Sequence, residues 1–273
     1  MSRVFRYVTL SLVVIALSLA GFPAPAADKR PAGPASTTPS VTQSRLLVPP
    51  IFAQGETLTY TATLNDLPAG DSEIRLRQER QDGREVYRAT VQARSNEWID
   101  YLYRLRGTAD GMFTTNGFTP LLFHLAYTEG ERQRELTVRS AVAAKMLLGS
   151  VKRREREKER AVPAKDVYDP LSAFYRLRSS ALTPGKPLQI EVFTGKERYR
   201  ITAHVVRKED VQLTSGVRLA IRIHPMVFSL DSAPDKNLLP QETTLWVSVD
   251  ETHTPLKLES FVPLGRVLVE LSQ

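Results

Sequence analysis

The residues able to do chemistry are few and scattered. Four histidines, His124, His204, His224 and His253, stand far apart. None falls in an H-x-x-H, H-E-x-x-H or H-x-H spacing, the patterns that set two imidazoles on one face of a helix or strand around a metal. A zinc site would need unrelated segments to converge, so the expectation is no metal and no cofactor. Ser172, in Asp169-Pro170-Leu171-Ser172-Ala173, lacks the G-x-S-x-G elbow that exposes a nucleophile, and reads as a helix-surface hydroxyl. His204 can act as a general base only if Ser172 or a carboxylate comes within hydrogen-bonding reach. Glu56, in the pair Gly55-Glu56, is a candidate functional carboxylate; the plainer reading pairs it with an arginine at a sheet edge. No Gly-rich phosphate loop or dinucleotide fingerprint occurs, and no catalytic residues are assigned. A hydrolase would require Ser172, His204 or Glu56 to meet an oxyanion donor in one cleft, and is the least favoured functional class.

Aromatic side chains are the other possible readout. Lining a concave apolar cavity they would suit an acyl chain, and on a flat face a sugar, while filling a core is the ordinary alternative at any one position. Tyr60, Tyr101, Tyr103, Phe174, Tyr175 and Trp246 are the candidate ligand contacts.

These residues sit in a chain dominated by period-two alternation, which puts successive side chains on opposite faces of a strand. Leu58, Tyr60, Ala62 and Leu64 alternate with threonines; Tyr87, Ala89, Val91 and Ala93 repeat the pattern. So do Ile99, Tyr101, Tyr103 and Leu105, then Ile201, Ala203 and Val205, then Val217, Leu219, Ile221 and Ile223. Asp82-Gly83, Asn116-Gly117 and Ser215-Gly216 supply tight turns between runs, so successive strands are antiparallel neighbours. One stretch reads as helix, Asp169 to Arg178, with Asp169 as cap and Pro170 in the first turn. Its Leu171, Phe174, Tyr175 and Leu177 share a face able to cover an apolar opening or pack beneath a sheet. The fold class is mainly β: a large curled antiparallel sheet or open β-barrel with one short helix, favoured over a sandwich.

Composition narrows the setting. The 273 residues are 42% hydrophobic and 25% charged, include no cysteine, and so describe a globular chain that is not held by disulfides. Residues 1–26 read as a secretory signal peptide: Arg3 and Arg6, an apolar run from Val8 to Phe22, then Ala24-Pro25-Ala26, with cleavage expected near Ala26. The run is shorter than the about 20 residues a spanning helix needs. Without a cysteine the protein cannot be a lipoprotein, and a soluble periplasmic product is expected. Residues 27–50, rich in Pro, Ser and Thr, read as a disordered linker, and residues 51–273 as a single β domain. The net charge of +7 includes Arg3 and Arg6, and much of the remainder lies in Lys152 to Arg160, KRREREKER. That run reads as a solvated hairpin edge guarded by charge, with anionic lipid head groups as the functional alternative and no nucleic-acid partner.

Three segments, FAQGETLTYTATLNDLPAG, DPLSAFYRLRSSALTPGKPLQIEVFTGKERYRITAHVVRKE and TLWVSVDETHTPLKLESFVPLGRVLVEL, resemble the bacterial family called domain of unknown function 3108. The resemblance runs over nearly all of Phe52 to Leu271. Its distinctive elements include Gly55, Glu56, Asp169, Ser172, Arg178, Trp246 and Asp250, together with Gly185, Pro255 and Gly265. It implies a periplasmic β-rich domain with no established activity. By architecture alone, an open half-barrel that holds acyl chains beneath a helical lid is the analogy. The reading is a non-enzymatic envelope protein that binds an apolar or amphipathic ligand in the concavity of the sheet, with Asp169 to Arg178 as cover. A structural module that binds another envelope protein through a strand edge is the alternative. Oligomeric state and ligand identity do not follow from these residues.

Overall fold

Strands follow one another through short turns, so the chain builds its sheet by adding neighbours in order. The computed structural model describes residues 50–153 and 156–272. The expected signal peptide, and the expected linker apart from Pro50, lie outside the described residues. A short helix, α1 (Pro50–Ala53), precedes β1 (Glu56–Leu64), β2 (Leu67–Gln81) and β3 (Arg84–Ser95). Helix α2 (Glu97–Tyr103) leads to β4 (Leu105–Thr114), β5 (Pro120–Glu129), β6 (Arg132–Ala141), β7 (Met146–Arg153), β8 (Arg156–Pro163) and the two-residue β9 (Val167–Tyr168). Helix α3 (Pro170–Arg178) then precedes β10 (Pro187–Phe193), β11 (Arg198–Leu213), β12 (Gly216–Ser229), β13 (Ala233–Asn237), β14 (Thr244–Ser248), β15 (Pro255–Val262) and β16 (Gly265–Leu271). All lie in one sheet, ordered β8-β7-β6-β5-β4-β3-β2-β1-β16-β15-β14-β12-β11-β10-β9, with β13 beside β12. Every pairing is antiparallel except β9 with β10.

The sheet is mainly β and barrel-like, and it curls around its own helix. Alternate residues such as Tyr60, Ile74, Val91, Phe123 and Leu136 point into one core that also receives Leu171 and Tyr175 of α3. Close approach of α3 depends on Gly111 in β4, where a Cβ atom would lie 2.8 Å from Leu171 Cδ1. Edge strands β8 and β9 do not pair with each other, yet the gap is bridged. Arg160 of β8 donates to the carbonyl of Lys196 at 3.1 Å and pairs with Asp231 at 2.6 Å, joining it to the turns after β10 and β12. The described residues of the charged run Lys152 to Arg160 lie in β7 and in β8, the strand at the end of the sheet, and its last residue acts as a clip.

Two local expectations are corrected. Ile99 to Leu105 does not form one strand: residues through Tyr103 are the helix α2. Asn96 accepts from the backbone N–H of Ile99, Glu97 and Asp100 fall in the first turn, and Asp100 pairs with Arg106; capping and charge outweigh the aromatic alternation. In β12, Ile221 and Ile223 face inward, but Val217 and Leu219 are exposed. A bulge at Val206 offsets the pairing of β11 with β12. Beyond it, Val211, Leu213 and Ala220 pack the opposite face of the hairpin against Leu256 and Trp246.

Candidate functional site

Helix α3 begins where Asp169 caps it. Asp169 Oδ1 accepts from the N–H groups of Leu171 and Ser172 at 2.9 and 3.1 Å, and the Ser172 hydroxyl donates back to the Asp169 carbonyl at 3.1 Å. Pro170 fits the first turn, where its missing N–H costs nothing. The whole cap is buried, and Oδ2 of Asp169 has no hydrogen-bond partner among the described residues. Burial pushes the carboxyl of Asp169 up to about 6, with the hydrogen bonds from Ser172 and Leu171 pulling against it.

The other end of α3 is fastened by Arg178, whose side chain is only 4% exposed. Its guanidinium forms a two-pronged ion pair with Glu56 at the start of β1, with Nη2 to Oε2 at 3.0 Å. Nε donates to the carbonyl of Thr252 at 3.0 Å, and Nη2 also donates to Thr254 Oγ1 at 3.2 Å. Above the charge sit three rings, with the guanidinium carbon 5.0, 5.2 and 5.3 Å from the centres of Phe52, Phe174 and Tyr175. One buried residue therefore joins the first strand, the helix and the β14–β15 loop. The Tyr175 hydroxyl, beside this pair, is buried without a well-formed hydrogen bond, and burial holds it well above the ordinary phenol range. Tyr60 donates to the Pro255 carbonyl at 3.1 Å and is raised by burial likewise.

The β14–β15 loop is shaped by its own side chains. Asp250 Oδ1 accepts from the N–H of Thr252 at 2.8 Å and from its hydroxyl, and Thr254 N–H donates to Ser248 Oγ at 2.8 Å. Burial would raise the Asp250 carboxyl, but these hydrogen bonds hold it below the ordinary carboxylate range. The loop delivers His253 with φ of 42°, in the left-handed region, and its Nδ1 lies 2.8 Å from the carbonyl of Arg178.

Between α3 and strands β10, β11, β12, β14 and β15 lies a cavity of about 140 Å³. Its wall is almost entirely apolar: Phe174 and Leu177 on the helix side, Ile201, Ala203, Ile223 and Val247 on the sheet side. Arg178 and His253 are the polar side chains in it. A wider, polar hollow of about 500 Å³ on the outer face of β1–β4 includes Asp71, Glu73 and Arg94, and Arg94 pairs with Asp71 across it.

The candidate residues divide accordingly. Phe174 lines the cavity, Tyr175 and Tyr60 lie in the neighbouring core, and Trp246 sits outside with its indole N–H donating to Glu209 at 2.9 Å. Tyr101 is 92% exposed on α2, and the side chain of Tyr103 lies outside the described residues. Gly55 turns the chain between α1 and Glu56, its N–H donating to the Phe52 carbonyl. Glu56 and Arg178 pair, but at the buried start of β1, a strand inside the sheet between β2 and β16, and not at a sheet edge as the plainer reading had it. Ser172 is buried in its cap while His204 is exposed on β11 opposite His224, so Ser172, His204 and Glu56 do not meet. Among the described residues no group of three or more His, Asp or Glu can hold a metal ion, and no helix is long and apolar enough to cross a membrane.

The family model for a protein of unknown function, DUF3108, matches residues 59–272. The chain belongs to the DUF3108 family. No curated protein matches the sequence of this DUF3108 member. Among solved structures it is similar to a β-barrel-like protein of domain of unknown function DUF1849 from Brucella abortus. That likeness has 10% identity and a TM-score of 0.51, covering 80% of this chain and 95% of the other. A protein catalogued as exported, with a YmcC-like fold, from Bacteroides fragilis is aligned at 9% identity and a TM-score of 0.33, covering 81% and 95%. The first likeness supports the barrel-like fold alone. What sequence reasoning missed is the aliphatic wall, visible only as strand alternation, and His253, whose signal was its place between Asp250 and Pro255.

Proposed function

We propose that this DUF3108 protein is a periplasmic, non-enzymatic protein of the cell envelope that binds an apolar or amphipathic ligand, such as an acyl chain, in the concavity of its sheet. The observation that carries the reading is the apolar cavity under α3, about 140 Å³ in volume. A well-packed interior leaves few voids larger than a water molecule, and an apolar cavity of about 150 Å³ takes up a benzene molecule. A space of this size therefore suits about six carbon atoms. The remainder of a longer chain would leave past α3, which forms one wall. The expected signal peptide supports an exported setting, and the buried Arg178–Glu56 pair beside the cavity supports a rigid receptor over a core defect.

The test is native mass spectrometry of protein exported by its host and purified without detergent, followed by organic extraction of any bound molecule. The expected result is a reproducible lipid-soluble adduct that is lost in Ala203→Leu, which fills the cavity from β11. A clean mass, together with no uptake of added 1-hexanol by NMR titration, rejects the reading and leaves the cavity as a packing feature.

A further inference from the structure

Resting on the cavity reading, one polar atom in that apolar wall determines what the ligand must offer. His253 is held in the left-handed region at φ 42°, a conformation in which histidine is tolerated more readily than most side chains. The Asp250–Thr252 turn and the 2.8 Å contact from Nδ1 to the Arg178 carbonyl keep it there. That carbonyl ends helix α3, where backbone oxygens lack partners within the helix. Carbonyl oxygens only accept, so Nδ1 carries a hydrogen, and in the tautomer with its single hydrogen there Nε2 presents a lone pair. Nε2 makes no hydrogen bond to any described residue and is not among their fully buried unpaired atoms, so water reaches it although the side chain as a whole is buried and belongs to the cavity wall. Arg178, the other polar side chain of the wall, has its donors committed to Glu56, Thr252 and Thr254.

From this arrangement we infer that His253 Nε2 is the head-group contact of the cavity, accepting a hydrogen bond from the hydroxyl of an aliphatic alcohol whose first about six carbons fill the apolar space. An apolar ligand that displaces water from this acceptor leaves it unpaired and is penalised, whereas a hydroxyl at that point removes the penalty. The site thus selects hydroxyl-bearing chains over hydrocarbon or ether chains of the same size. Asp250 interacts electrostatically with the ring from its own loop, and Arg178 meets it through its carbonyl at the helix end.

Two isomers test this: 1-hexanol, and pentyl methyl ether, which has the same atoms but no O–H. Binding is measured by NMR titration at pH 8 on the wild type and on His253→Asn. Asparagine tolerates the left-handed backbone and can still donate to the Arg178 carbonyl, so that variant removes Nε2 while preserving the structural contact. The expected result is about tenfold tighter binding of the alcohol to the wild type, the equivalent of one hydrogen bond, with the preference gone in the variant. The ¹⁵N resonance of Nε2 should move on adding the alcohol and stay in place on adding the ether. Equal binding of both isomers to the wild type, or an unmoved Nε2 resonance, overturns this inference and leaves the cavity reading standing. Binding of neither overturns this inference and, together with a clean native mass, the cavity reading as well. Should His253→Asn fail to fold, the isomer comparison and the resonance shift in the wild type decide alone.

Discussion

Replacing Arg178 with methionine tests whether the clasp at the end of α3 holds the sheet together. Methionine keeps an unbranched apolar side chain among Phe52, Phe174 and Tyr175, so packing is largely retained and the charge alone is lost. What remains is the Glu56 carboxylate, whose side chain is 8% exposed and has lost its ionic partner, and a Thr252 carbonyl without its donor. Removing one member of a buried pair costs about 3–5 kcal/mol. At about 2–4 °C per kcal/mol for a domain of this size, the midpoint of thermal unfolding should fall by roughly 6–20 °C. Changing Glu56→Gln as well removes the stranded charge, so the double variant should lose less than the sum of the two single losses, by about 1–3 kcal/mol. Urea unfolding followed by circular dichroism measures all four corners of the cycle. A single-variant loss below about 1 kcal/mol, or strict additivity, refutes the view that the pair is a buried, interdependent fastening and would make it equivalent to a surface contact.

Other consequences of the structure can be measured in the same way. The folded Asp169 carboxyl titrates near about 6 against an ordinary 3.8, so between these values the folded state holds the extra proton; its contribution is complete below 3.8 and is lost as pH rises through 6. Stability should therefore fall from pH 4 to pH 7 by up to about 3 kcal/mol from this group, and Asp169→Asn, which still caps the helix, should flatten that slope; an unchanged slope contradicts the assignment. Gly111→Ala places a Cβ 2.8 Å from Leu171 Cδ1 and should cost about 1–3 kcal/mol by urea titration, and less when made in a Leu171→Ala background; no loss would mean that α3 does not press on β4.

Much of the architecture was legible because strand alternation and turn chemistry are local. The run Leu58, Tyr60, Ala62 and Leu64 faces the core as its spacing requires, and Asp82 and Gly83 both take positive φ at the β2–β3 turn. Helix α3 likewise follows from Asp169 and Pro170. Alternation misled where a stronger local interaction competed: the cap at Asn96 turned Ile99 to Tyr103 into helix. At Val217 and Leu219, a bulge in the partner strand changed what covers the hairpin. A strand pattern says that a side chain faces inward. It does not say whether anything fills the space it faces.

The composition and spacing of this chain determined its β-rich class, the capped helix α3 and the absence of any recognised metal or nucleophile motif, since each depends on residues within a few positions of one another. Tertiary structure decided that Glu56 meets Arg178 across 122 positions and that His253 meets the end of α3 across 75. It also decided that Ile201, Ile223 and Val247 line an apolar cavity. Those outcomes depend on how far a sheet of 16 strands curls before its edges reach each other. Twist accumulates strand by strand along the whole sheet, and no local run of residues encodes that sum.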